Sequence, residues 1–297
     1  MLLVRPSFDI LACSASDDMP YSYFDEPGKL IEVCGRVAHK SEHNITADSY
    51  IEFVERMKRM EHFSVLEHSW GVVVVEHGDW VDMKTDPDFA RSSFLHYGYT
   101  SGAVVISGNM RAFQEAHPGL WGKRITSVPS LPTVRAQDTP FLHAMTVRFI
   151  IDRGVSHELV RHRPCSITQE STRYCDYSGG VAFVIPPWLS DHLGARRYDS
   201  KVVIQQATPH LQGYRVWVLA MAVAEQQYLG LRRMGWGPQQ ARAVLPSSTK
   251  TEVLLTASIH EWRHIFKLRC SNAAHPQMRE IMRPLQEAAE RMYGHAV

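Results

Sequence analysis

Cysteine is scarce in this chain, and its placement is irregular. The five residues Cys13, Cys34, Cys165, Cys175 and Cys270 are odd in number and contain no C-x-x-C pair. That argues against a disulfide scaffold and against a thiolate zinc site, so a reducing, cytoplasmic setting is expected. Long apolar runs are also missing. Even the stretch from Trp217 to Ala224 falls far short of the ~20 residues a membrane helix needs, which predicts a soluble protein with no membrane partner. Excess charge of one sign is absent too: 32 Lys and Arg stand against 31 Asp and Glu. The chain as a whole is therefore not built to coat a polyanion, and any anion site must be a local cluster.

Histidine is plentiful, with sixteen residues, and keeps metal, proton-transfer and phosphate roles open. Length alone, at roughly 150 residues per domain, allows one core or two. With no repeats or flexible linkers, a single elaborated domain over 1–297 is expected. Asp48 to His62 has the apolar spacing of an amphipathic helix, and the valine-rich segment Val65 to Glu76 reads as a strand. From about 77 to 140 the pattern breaks into Gly, Pro and Ser punctuation, with a short helix near Asn109 to Ala116, and reads as an insertion. Met145 to Asp152 reads as a strand and Val155 to Arg163 as a short helix ended by Pro164. Val202 to Met234 reads as mostly helical, with further helices at Gln239 to Leu245, Ser258 to Arg269 and His275 to Tyr293.

One motif suggests a zinc peptidase. His260-Glu261-x-x-His264 puts two histidines four apart on one helix face, as a metal pair requires. The longer metzincin pattern, however, needs Gly and His where this chain has Lys267 and Cys270. Ser258-x-x-Glu261 is also a capping box, worth about 1 kcal/mol at a helix start, which accounts for Glu261 without a catalytic water. Arg263, Lys267 and Arg269 add positive charge that disfavours a dication on this helix. No metal is expected.

Residues 161–174, Arg-His-Arg-Pro-Cys-Ser-Ile-Thr-Gln-Glu-Ser-Thr-Arg-Tyr, gather three arginines with hydroxyl and amide side chains. Guanidinium forks match phosphate oxygens, and Ser, Thr and Gln supply directional hydrogen bonds to a heterocycle. A phosphorylated, base-bearing ligand fits. A non-catalytic nucleotide or RNA binder is the competing reading, separable by its steep salt dependence.

Spacing narrows the choice. Arg161-His162-Arg163, seven intervening residues, then Ser171 and Arg173 resemble the signature of the flavin-dependent thymidylate synthases. His62-x-Ser64 with Glu67-His68 resembles that family's first flavin segment, Ala241-Arg242-x-x-Leu245-Pro246 its second substrate segment, and Trp262 to Arg269 its C-terminal active-site helix. The resemblance implies an α+β fold with a central antiparallel sheet flanked by helices, assembled as a homotetramer whose sites draw on several subunits. It implies synthesis of dTMP from dUMP, with FAD as cofactor and NADPH and 5,10-methylenetetrahydrofolate as co-substrates, and no nucleic-acid partner.

Residue by residue, the resemblance puts Glu158, Arg161, Gln169, Ser171, Arg173, Arg242 and Arg269 at dUMP. It puts Ser64, Arg161, His162, Arg163, Ser258, His260 and His264 at FAD. Arg269, His62 and Ser171 form its catalytic set, with Ser171 positioning substrate because no dedicated base accompanies it. Cys165 falls at a variable place in the signature and is given no nucleophilic role. The chain departs from common family usage at Ser258 and His260, where Asn and Arg are frequent, and at Gln239, where Glu is.

Overall fold

The computed structural model describes residues 1–16, 18–99, 103–125, 140–208, 210–211, 213–294 and 297. In chain order the strands are β1 (Leu2–Val4), β2 (Ser7–Cys13), β3 (Gly71–Glu76), β4 (His96–Tyr99), β5 (Ala103–Gly108), β6 (Ala144–Asp152), β7 (Ser166–Gln169), β8 (Ala182–Val184), β9 (Arg196–Arg197) and β10 (Lys250–Ser258). The helices are α1 (Pro27–Val37), α2 (Ser49–Arg59), α3 (Phe63–Leu66), α4 (His77–Met83), α5 (Pro87–Arg91), α6 (Met110–Ala116) and α7 (Pro118–Trp121). They continue with α8 (Arg153–Leu159), α9 (Ser200–Gln205), α10 (Tyr214–Arg233), α11 (Pro238–Ala241), α12 (Ile259–Arg269) and α13 (Pro276–Tyr293). Among the described residues no helix is long and apolar enough to cross a membrane.

Period-two alternation builds the central sheet. On β6, Met145, Val147, Phe149 and Ile151 point to one face, and Val253, Leu255 and Ala257 of β10 join them there. Successive side chains of a strand point to opposite faces, so this apolar set forms a single wall. It is covered by α8, α12 and α13 through Leu159, Trp262, Ile265, Phe266, Met282 and Leu285. Trp262 is wholly buried and donates its indole N–H to Met145 O at 3.0 Å. Leu254 faces the other way, onto α1 and Trp70. The strand order is β2-β6-β10-β7 with every pair antiparallel, the α+β arrangement of a central antiparallel sheet flanked by helices.

Two smaller sheets flank it. β3-β5-β4 has its own apolar cluster around Val73, Trp80, Ile106 and Phe113. β8-β1-β9 packs against α9 and α10 through Leu3, Phe183, Val218 and Met221.

The helices near 48–62, 109–116, 258–269 and 275–293 and the strand near 145–152 lie close to their expected places. The strand expected from Val65 begins only at Gly71, because residues 57–66 are committed elsewhere. The amide of Glu61 bonds to Lys58 O and that of His62 to Met57 O, with Glu61 left-handed at φ 57°. This is a Schellman closure of α2, and it feeds directly into α3. The helix expected from Val202 is interrupted after Gln205 and resumes at Tyr214, with Gly213 at φ 58°. Within the expected insertion, 100–102 and 126–139 lie outside the described residues, and the rest is more regular than its composition suggests. Gly98, for example, reads as punctuation. Its hydrogen instead meets Phe141, whose ring lies 2.7 Å from where a Cβ would stand, so the glycine permits close packing inside a strand.

Candidate active site

The side chains named from the sequence fall into three neighbouring groups. The first joins the C-terminal ends of α8 and α12. Arg269 donates from Nε to His162 Nε2, from Nη1 to Glu158 Oε2 and from Nη2 to Glu158 O, each at 2.8 Å. These use three of the five N–H groups of a planar guanidinium, which fixes its orientation and leaves two for a ligand. Because a guanidinium can only donate, His162 Nε2 must be the unprotonated nitrogen and Nδ1 carries the proton. Burial, the Arg269 charge and His264 together hold the His162 pKa at about 4. His264 lies edge-on to His162 at 6.1 Å. His260 and His264 are exposed on the outer face of α12, and among the described residues no three His, Cys, Asp or Glu side chains converge as a metal site.

The second group is the turn after β7. Ser171 N donates to Ala38 O at 3.0 Å, and Tyr174 and Cys175 donate their amides to Ser171 O. The Ser171 hydroxyl accepts from Arg173 N at 3.3 Å, so it caps this turn. Arg173 is exposed, its guanidinium lying 5.2 Å from the Tyr174 ring centroid. Arg242 reaches the same turn from a distant part of the chain, donating to Thr172 Oγ1 at 3.1 Å. Gln169 spends its amide nitrogen on Ser156 and Thr251, so what it can offer a heterocycle is its carbonyl oxygen. Through Ser156 it also links this turn to α8.

The third group lines a cleft of about 680 Å³ that includes Arg36, His39, Arg56, Phe53, His62 and Ser64. His39 stacks on Tyr174 at 4.3 Å, so the cleft adjoins the signature turn. The His62 backbone closes α2 and opens α3, which holds its ring and Ser64 at the cleft wall.

Three assigned residues have simpler surroundings. Arg161 and Arg163 are exposed on either side of buried His162, in the turn and bend that follow α8. Ser258 is buried and its hydroxyl accepts from Glu261 N at 3.2 Å, so the serine half of the expected capping box is present. Burial pushes the thiols up, Cys165 to about 12 and Cys175 and Cys270 to about 11, leaving all three protonated at neutral pH.

Residues given no individual role in the sequence reading complete the site. Glu170, 2% exposed, accepts from Tyr177 OH at 2.8 Å and Lys250 Nζ at 2.7 Å. It directly precedes Ser171 and anchors the turn from inside. Wholly buried His68 sits between Thr256 Oγ1 at 2.9 Å and Thr168 Oγ1 at 2.8 Å. The line continues through Thr146 to Tyr23, crossing β7, β10 and β6. Thr168 and Gln169 are adjacent on β7, so one faces His68 and the other faces α8. Phe94 and His96 of the inserted region line a small cavity with Pro164 and Ser258, which sets that region against the arginine signature.

The acid response follows from these histidines. Burial holds His68 at about 3 and His162 at about 4, both below the ordinary value of 6.5. The unfolded chain therefore binds more protons than the folded one in this window, and stability rises with pH. The contribution is complete above pH 6.5 and is lost as pH falls through about 4 and then 3. Urea unfolding from pH 7 down to pH 4 should show progressive destabilisation, and His68→Gln should flatten that slope.

Fold and site thus define an α+β protein whose cations, a neutral histidine and an apolar-floored cleft suit a phosphorylated heterocycle. Residues 134–293 match the family described as thymidylate synthase complementing protein, and the chain belongs to that family. A flavin-dependent thymidylate synthase of Mycobacterium marinum is 34% identical over 133 residues, 44% of this chain and 51% of the relative. One from Corynebacterium glutamicum is 30% identical over 163 residues, 51% of this chain and 62% of the relative. The chain thus spans between half and two thirds of the length of these relatives. The crystal structure of a UMP/dUMP methylase from Streptomyces cacaoi bound with 5-Br UMP is 17% identical, with TM-score 0.46, covering 100% of this chain and 95% of that one.

Proposed function

We propose that this chain is a FAD-dependent thymidylate synthase. It converts dUMP to dTMP, taking carbon from 5,10-methylenetetrahydrofolate and reducing equivalents from NADPH. The observation that carries the reading is the Arg269 guanidinium, fixed by His162 and Glu158 with two N–H groups to spare. A fixed positive charge against a pyrimidine favours electron density on the ring and activates C5. Arg173, a residue of the turn, and Arg242, which donates to Thr172 on that turn, form the pair of guanidiniums that a monophosphate dianion needs. Gln169 offers its carbonyl oxygen to a ring N–H, and Ser171 holds the turn that positions substrate.

The residues present also fit FAD. Its ring system asks for flat apolar contact and its diphosphate for cations. In the cleft, Arg36 and Arg56 stand 5.1 and 5.4 Å from the Phe53 ring centroid, Arg36 being already paired with Glu32 at 2.6 Å, and among the described residues Glu61 is the single carboxylate lining it. Arg161, Arg163 and Ser64 supply further donors, with His162 neutral among them. When bound, FAD carries the reducing equivalents; the protein orients the reactants and supplies charge. The reading includes a homotetramer in which one site draws on several subunits, each a single elaborated domain.

The test is tritium release from C5-labelled dUMP, measured with and without FAD and NADPH. Release that requires FAD is expected, whereas a protein that neither takes up FAD nor releases tritium contradicts the reading. Arg242→Ala removes one charge-assisted phosphate contact, worth 1.5–3 kcal/mol on the general scale. The KM for dUMP should therefore rise at least about tenfold, with kcat changed by less than about twofold, as steady-state kinetics would show.

A further inference from the structure

The unit formed by β9, α9 and α10 contains a further cavity, of about 380 Å³, lined by none of the residues of the candidate active site. Three separate segments converge on it. β9 and the residues around it supply Arg196, Tyr198 and His192, α9 supplies Val203, and α10 supplies Arg215 and Val218. The volume falls within the ~300–1,000 Å³ range of ligand pockets.

Its charge pattern is one-sided. Among the described residues no carboxylate lines the cavity. Arg148, Arg232 and Arg269 each rest on a carboxylate, but no ion pair among the described residues involves Arg196 or Arg215. Both are instead held against aromatic rings. Arg196 lies 4.7 Å from the Tyr198 centroid and Arg215 lies 5.9 Å from that of Tyr214, to whose hydroxyl it donates at 3.3 Å. His192 stacks on the same Tyr214 ring at 5.2 Å and 15°. Arg196, laid on a ring, is orientationally restrained while its in-plane N–H fork stays available to another acceptor; Arg215 spends Nε on the Tyr214 hydroxyl and keeps its two Nη groups for a ligand. Two such groups over an aliphatic floor of Val203 and Val218 call for a ligand with a multivalent oxyanion at one end and a flat apolar body at the other.

We propose that this cavity is a second ligand site that binds a nucleoside phosphate. The phosphate lies between Arg196 and Arg215, and the base lies on the aliphatic floor. Phosphate oxygens match two guanidinium forks bidentately, and a base buries the flat area that an inorganic anion would leave wet. The site needs no flavin and no catalysis, so its fate is separable from that of the active-site reading.

Equilibrium dialysis of the full chain tests it, using radiolabelled uridine 5′-diphosphate with saturating dUMP present. Inorganic pyrophosphate and uridine serve as competitors, supplying the anion alone and the base alone. One diphosphate nucleotide per chain is expected, with each competitor at least about tenfold weaker. Arg196→Ala with Arg215→Ala should weaken binding by at least about tenfold. Val203→Trp fills the floor while keeping both arginines and should do the same, with the thermal midpoints of both variants near that of the parent. Absence of nucleotide binding, equal binding by both variants, or competition by pyrophosphate as strong as by the nucleotide itself would overturn the proposal.

Discussion

Arg269→Ala is expected to lower tritium release from dUMP by about 10³-fold, or about 4 kcal/mol of barrier, while FAD remains bound. The size follows from preorganisation. His162 and both acceptors on Glu158 hold the guanidinium in one plane, so little reorganisation remains when charge develops on the pyrimidine. Arg269→Lys restores the charge but not the fork, and should recover only a small part of the rate. A second readout separates this role from general damage. Arg269 is the second largest influence depressing His162, after burial, so in Arg269→Ala the His162 titration should move upward from about 4 when followed by NMR. Loss of flavin in proportion to activity would place Arg269 at the cofactor instead.

Glu170→Ala should cost about 3 kcal/mol of folding stability, the lower end of the range for breaking a buried pair. Glu170 accepts from both Lys250 and Tyr177 while almost wholly buried. Its removal leaves Tyr177 without its acceptor and Lys250 with only Glu252 at 3.7 Å, and that residual contact keeps the cost from the upper end. Urea unfolding should show the midpoint fall with little change in slope. The cycle with Lys250→Ala should give a double variant less damaged than the sum of the singles. Because Glu170 directly precedes Ser171, KM for dUMP should also rise through the loosened turn. A variant as stable as the parent would mean that Tyr177 and Lys250 are held well without it.

Much of this site was legible because its chemistry is concentrated in short range. The arginine signature, Ser171 and Arg173 lie within fourteen residues, and Ser258-x-x-Glu261 announces a helix start through local hydrogen bonding that the structure retains at Ser258. Arg242 and Arg269 were legible only through family resemblance. Neither has a local signal connecting it to Thr172 or to Glu158.

What stayed hidden depends on three-dimensional partners. Glu170 reads as one more acidic residue in a polar loop until Lys250, eighty positions on, is brought to 2.7 Å by β10. His68 was named only as part of the segment Glu67-His68, and its place in a buried line of hydroxyls stayed hidden because its two threonine partners lie on different strands. The short strands of the inserted region were missed because composition near Gly98 signals a turn, whereas the glycine serves the Phe141 contact. The break in the 202–234 helix was also missed: α9 ends at Gln205 and α10 opens behind Gly213 at positive φ, which apolar spacing alone does not report.

The most direct measurement of the central claim is a crystal structure of the assembled protein with both dUMP and FAD. The expected result has Arg173 and Arg242 on the phosphate, Arg269 beside the pyrimidine with its His162 and Glu158 bonds intact, and the flavin against Arg161 and Arg163. A complex in which the nucleotide sits elsewhere, with these arginines turned to bulk solvent, would contradict the account.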